Sequence, residues 1–147
     1  MSEGCLFCRE PEGIREDMIK RYEHWDLFLN RKQHYLGRSI VKLKRHVEDL
    51  FKITGEERKE LFEVVVPETK NAIDSCFEPD LYNYASLGNS VRHLHLHVIP
   101  RYRDEREFDG VIFRDERWGH NYKPYPEFDI TEDTKDSILD VLREEIG

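Results

Sequence analysis

Hydrophobic positions fall in short clusters between polar, turn-forming stretches, and their period changes along the chain. Trp25-Asp26-Leu27-Phe28-Leu29-Asn30 and Arg38-Ser39-Ile40-Val41-Lys42-Leu43 gather aromatic and β-branched residues over strand lengths, with Gly37 placed to turn the chain between them. Thr54-Gly55-Glu56-Glu57 has the form of a capping box. Behind it, Leu61, Phe62, Val65, Val66, Thr69, Ile73 and Phe77 recur at helical spacing. Pro67 removes a backbone donor inside that pattern, which predicts a kink or an interruption. Residues 81–87 and 91–99 read as two further strands joined at Gly88-Asn89, with Pro100 ending the pairing. Thr131 is placed to cap a last helix carrying Ile138, Leu139, Val141, Leu142 and Ile146. Residues 101–128, rich in aromatics, proline and charge, read as a long ordered excursion. Strands, a helix, more strands and a helical end predict an α+β fold with an antiparallel sheet.

The length of 147 residues suits one domain with a core of its own. Charged residues make up 37% and no apolar run reaches membrane-spanning length, so no membrane partner is expected. Neither is an export signal, and the expected location is cytoplasmic. The formal charge is -8, and much of it lies in residues 127–147, where eight acids face only Lys135 and Arg143. This balance argues against binding to long nucleic acid. In contrast, residues 27–45 carry Arg31, Lys32, Arg38, Lys42, Lys44 and Arg45 with no acid, which is either a solvated basic edge strand or a place for one small anion.

The chemistry concentrates in His93-Leu94-His95-Leu96-His97-Val98-Ile99. Strand alternation sets the three histidines on one face and Leu94, Leu96 and Val98 on the other. A solvated strand has no need of three titratable rings in strict alternation. Two uses remain open on residue type alone: the three rings jointly hold one metal, or the middle one is a nucleophile whose neighbours stabilise an anionic centre. Cys5-Leu6-Phe7-Cys8 is likewise open between an incidental pair, a redox pair and half of a zinc site. Cys76 reads as a small buried apolar residue.

The run from His93 to Arg101 resembles the histidine triad signature, His-φ-His-φ-His-φ-φ, of the HIT superfamily of nucleotidyl hydrolases and transferases. The resemblance extends over residues 5–103, the core of one HIT-like domain spanning 1–147, and leaves 104–147 as a C-terminal extension. Asn30-Arg31-Lys32 is similar to the dinucleoside polyphosphate hydrolase branch, in which the asparagine contacts the ribose.

The resemblance implies a sheet of about five antiparallel strands with helices, a homodimer, and a bound nucleotide, either a nucleoside monophosphate or a dinucleoside polyphosphate. It makes His95 the nucleophile toward the α-phosphorus, through a covalent nucleotidyl-histidine intermediate. His97, Gly88, Asn89 and Ser90 would hold phosphate or assist the leaving group. Gly88-Asn89 stands where many members have Gly-Gln, so the reach of that side chain is one methylene shorter. Members with the N-terminal cysteine pair use it with two histidines, which here are His46 and His93, as four ligands to a structural zinc. A non-catalytic nucleotide-binding module would keep the same fold and pocket. Outside the resemblance, Trp118, Tyr122 and Tyr125 offer stacking surfaces, and Arg114, Arg117 and His120 offer charge or titration; the alternative for that segment is a satellite core under a long loop.

Overall fold

The computed structural model describes residues 4–147. Two short helices, α1 (Leu6–Arg9) and α2 (Glu12–Glu16), lead into β1 (Met18–Arg21), β2 (Trp25–Leu29) and β3 (Ser39–Leu43). Next come α3 (Gly55–Glu60), a π-helical turn over Leu61–Val65, and α4 (Val66–Phe77), followed by β4 (Leu81–Ala85) and β5 (His95–Arg101). A hairpin of β6 (Arg106–Phe108) and β7 (Val111–Phe113) and the final helix α5 (Glu132–Ile146) complete the chain. The five main strands form one antiparallel sheet in the order β1-β2-β3-β5-β4.

The period-2 pattern gives the sheet two different faces. Leu27, Leu29, Val41, Leu43, Leu94 and Val98 share one face and pack beneath Val65, Ile73, Phe77, Ile138 and Leu139 of the helices. Leu27, Val41 and Val98 are fully buried, and each such side chain contributes about 1.5–3 kcal/mol. The opposite face carries Phe28, Ile40, Lys42, His95 and His97, and α1, Ile14 of α2, Val91 and the C-terminal excursion lie against it.

The capping box forms as read, with Thr54 Oγ1 accepting from Glu57 N at 3.1 Å and Glu57 Oε1 accepting from Thr54 N at 2.8 Å. The interruption predicted at Pro67 is the π turn. Val66 N donates to Leu61 O, five residues back, and Pro67, which has no N–H to give, follows at once in the first turn of α4. Gly37 turns the chain at a φ of 91°, and a Cβ there would stand 3.2 Å from the Phe77 ring.

Three expectations need correction. Pro100 does not end the pairing, because β5 runs on to Arg101. Arg101 O accepts from Asp80 N on the β4 side, so the proline nitrogen one residue earlier points the other way, past the last β3 pair at Ser39 and Val98. β5 begins at His95 rather than at residue 91, since residues 90–94 follow a bent path fixed by Leu94 N to Val47 O at 2.7 Å. The basic segment is no solvated edge: β3 lies between β2 and β5, with Arg38 and Lys42 buried.

The excursion is tied down by one buried arginine. Arg101 makes a two-pronged ion pair with Asp115 at 2.7 and 3.1 Å and donates to the carbonyls of Arg117 and His120 and to Asn83 Oδ1. Tyr122 packs with Tyr35 and Ile99 in a satellite core, while Trp118 is half-buried and His120 exposed. Arg114 pairs with Glu105, and Arg117 braces the carbonyls of Asn121 and Lys123. Cys76 is half-buried, packed against the main core.

Candidate active site and metal centre

Pairing across the sheet sets the site in two rows. Asp26, Lys42 and His95 are register partners in one, and Phe28, Ile40, His97 and Ala85 in the next. Lys42 Nζ lies 3.2 Å from Asp26 Oδ2, both side chains almost fully buried. From α1, the ring of Phe7 meets His95 edge-on at 4.9 Å, and it also abuts Phe28 and His93. Arg38 and Lys42 belong to the basic segment offered above to a small anion, whereas nothing in the local sequence marks Asp26 and Phe7 as site residues. The signal for the two basic residues is Arg38-x-Ile40-x-Lys42, whose alternation matches that of the histidines once β3 is placed beside β5.

His95 is buried, and its Nδ1 lies 2.7 Å from the carbonyl oxygen of His93. A carbonyl can only accept, so that nitrogen carries the proton and Nε2 keeps its lone pair. Burial lowers the titration of His95, opposed by this bond. His97 is pushed down to about 4, first by burial and then by the charge of Arg38. Both rings are therefore neutral at pH 7. Their centroids are 5.2 Å apart.

A hollow of about 370 Å³ opens beside this face, lined by Leu6, Ile14, Phe28 and Ile40, with Asn30 at its rim. Asn30 Oδ1 accepts from Lys32 N at 2.8 Å. Asn89 and Ser90 are exposed on the loop ahead of β5, which turns at Gly88 with a φ of 64°. Ser90 lines a different hollow, beside Cys5 and His46.

The four ligand candidates do converge. Cys5 is the N-cap residue of α1, and Cys8 lies three residues on, within that helix. His46 follows β3 and His93 precedes β5, with Leu94 holding the two segments together through Leu43 N to Leu94 O at 3.1 Å and Leu94 N to Val47 O. All four ligand atoms lie within 4.8 Å of one another. His93 Nδ1 stands 3.1 Å from His46 Nδ1, 3.3 Å from Cys5 Sγ and 3.4 Å from Cys8 Sγ. On its far side, His93 Nε2 donates to Leu43 O at 2.5 Å, the outer hydrogen bond expected of a metal-ligating imidazole. The group could hold one four-coordinate ion. With both nitrogens engaged there, the His93 ring has none to share with His95 and His97, which counts against a single metal held by all three.

A sequence profile described as the HIT domain matches residues 12–104. "Protein hit" from Bacillus subtilis (strain 168) is 33% identical over 129 residues, covering 84% of this chain and 86% of that protein. The chain belongs to the HIT family. Its fold, a five-stranded antiparallel sheet with helices, recurs in a hypothetical histidine triad nucleotide-binding protein from Sulfolobus tokodaii strain7, with a TM-score of 0.72 at 20% identity over 97% of this chain and 91% of that one. It recurs also in a zinc-bound histidine triad family protein from Mycobacterium smegmatis, with a TM-score of 0.66 at 22% identity over 99% of this chain and 95% of that one. At those identities the likeness is one of fold alone. No helix among the described residues is long and apolar enough to cross a membrane.

Proposed function

We propose that this HIT protein cleaves or transfers a nucleoside phosphate linkage, in a dinucleoside polyphosphate or an AMP-linked compound, through a covalent nucleotidyl-histidine. The observation that carries the reading is the bond from His95 Nδ1 to the His93 carbonyl, which leaves Nε2 as a fixed lone pair in a buried, neutral ring. Nε2 attacks the α-phosphorus, a P–N bond forms and the P–O bond to the leaving group breaks. Water, or another acceptor, then attacks the same phosphorus and returns the electron pair to Nε2. His97 donates to the phosphoryl oxygens, and amides at Gly88 and Asn89 with the Ser90 hydroxyl complete the cradle when that loop meets substrate. The apolar hollow at Phe28 and Ile40 takes the nucleoside, with Asn30 toward the ribose.

Zinc is the metal we assign to Cys5, Cys8, His46 and His93. Bond lengths of about 2.1 Å to nitrogen and 2.3 Å to sulfur set ligand atoms roughly 3.4–3.8 Å apart in a tetrahedron, and the nitrogen–nitrogen and nitrogen–sulfur pairs of His93 and of Cys8 with His46 here lie at 3.1–3.4 Å. Four protein ligands leave no open position, so its part is structural. We place residues 1–147 in one domain with the core at 5–103, working as a homodimer in the cytoplasm.

The test is intact-mass analysis after rapid alkaline quench with diadenosine tetraphosphate, which preserves the acid-labile P–N bond. A mass increase of one nucleotidyl group, absent in His95→Ala, is expected. Turnover by His95→Ala equal to that of the wild type would refute the proposal, and nucleotide binding without turnover by the wild type would point instead to the non-catalytic module.

A further inference from the structure

His95 and His97 lie on the same face two residues apart, yet their Nδ1 atoms meet opposite partners. His95 Nδ1 faces a carbonyl oxygen, an acceptor. His97 Nδ1 faces Nη2 of Arg38 at 3.4 Å. A guanidinium has only donors and does not lose its proton. His97 Nδ1 must therefore be bare, and the one proton of the neutral ring sits on Nε2. We infer that Arg38 is a positioning residue that fixes His97 in the tautomer opposite to that of His95, and that the extension beyond the HIT-matched region holds Arg38 in place.

The hold is specific. Arg38 is 3% exposed at the entrance to β3. Its Nη1 donates to the Tyr125 hydroxyl at 2.9 Å, and its guanidinium lies 5.5 Å and 5.6 Å from the ring centroids of Tyr122 and Tyr125. Tyr122 is anchored in turn, its carbonyl accepting from Tyr35 Oη at 2.5 Å. Two aromatic rings and a phenol oxygen fix the plane of the guanidinium, so that one edge is presented to His97. Nε of Arg38 is buried without a hydrogen-bond partner in the structure, so the contacts at the two terminal nitrogens carry its polar anchoring. Both tyrosines lie beyond residue 104, where the family match ends.

Opposite tautomers divide the work of two otherwise equivalent rings. His95 Nε2 offers a lone pair and His97 Nε2 offers a proton donor. That use rests on the proposed nucleotidyl transfer, whereas the tautomers themselves do not depend on substrate.

The test is long-range ¹H–¹⁵N correlation of the imidazole rings in the full-length, uniformly ¹⁵N-labelled protein at neutral pH, with His97→Gln used to assign the signals. His97 is expected to show the Nε2–H pattern and His95 the Nδ1–H pattern. In Arg38→Met the His97 pattern moves toward a mixture while that of His95 stays. If that variant does not fold, Tyr125→Phe, which removes only the phenol oxygen, moves His97 in the same direction by less. An Nδ1–H pattern on wild-type His97, or one unmoved by a folded Arg38→Met, overturns the inference. Turnover in Arg38→Met falls roughly 10- to 100-fold in kcat, below the 10²–10³ of a deleted oxyanion donor because the ring still carries the useful proton part of the time. Absence of nucleotide turnover in the wild type alongside the expected tautomers would remove the proposed function and leave the role of Arg38 standing.

Discussion

Replacing Glu57 by glutamine should destabilise the protein in a pH-dependent way that can be worked from the structure. The buried Glu57 carboxylate accepts from Arg45 Nε at 3.0 Å and Nη2 at 2.8 Å, and from Thr54 N at 2.8 Å. These bonds, that from Arg45 first, pull its titration from 4.5 down to about 2 against the opposing effect of burial. A gap of that size corresponds to an upper limit of about 3 kcal/mol at 1.36 kcal/mol per pH unit. Solvent screening on the half-exposed Arg45 side and the partial capping ability of glutamine reduce this to roughly 2 kcal/mol. For a chain of this size that is a fall in Tm of about 4–8 °C. The folded-state pKa is depressed, so the contribution is present above about pH 4.5 and is lost as pH falls from there toward 2. Thermal melts of wild type and Glu57→Gln from pH 3 to 7 give the test as a difference, in which acid loss of any metal common to both proteins cancels. Equal melting temperatures at pH 7, or a gap that does not shrink between pH 5 and 3, would refute the reasoning. The effect bears on the site because Arg45 immediately precedes His46.

Other perturbations have equally direct readouts. Cys5→Ser with Cys8→Ser should abolish zinc binding in elemental analysis and lower Tm, because in the proposed site the ion would tie α1 to His93 at the entrance of β5; unchanged metal content would remove the ligand assignment. Since the proposed reaction needs the neutral form of His95 and burial lowers its titration, the acid limb of kcat/KM should lie below the ordinary imidazole value of about 6.5; a limb above it would contradict the proposal. Gly37→Ala should cost about 1–3 kcal/mol by denaturant unfolding, as its positive φ and the nearby Phe77 ring act together. A neutral effect there would mean that the turn relaxes.

The sheet face bearing the histidines was legible because period-2 alternation is local: His95 and His97 point one way, and Leu94 and Val98 pack the other way under the helices. The capping box and the helix interruption were legible for the same reason. What the sequence hid is set by non-local pairing. β1, with only Met18 and Ile19 apolar and a register shift between Met18 and Lys20, has no strand pattern of its own and exists because β2 offers an edge. The burial of Lys42 and Arg38 depends on β3 being central, which basic composition argued against. The β6-β7 hairpin does carry a local mark, Asp109-Gly110, both at positive φ between paired Phe108 and Val111, inside the segment expected to be a long excursion.

His93 connects the candidate metal group to the proposed nucleophile through its own backbone. Its ring is fixed at both nitrogens, by the cysteine and histidine cluster on one side and Leu43 O on the other. Its carbonyl is the acceptor that fixes His95. A backbone shift that displaced the Cα of residue 93 would carry the ring from the cluster and the carbonyl from His95 Nδ1 together, whereas a side-chain rotation would release the ring alone. The consequence for His95 would be loss of its tautomer preference rather than loss of the ring. Under the proposed assignments, removing zinc should reach the proposed reaction only where that backbone shift follows, by blurring which nitrogen of His95 carries the lone pair, and stability should suffer before chemistry does as long as Leu43 and Val47 hold the strand entrance in register.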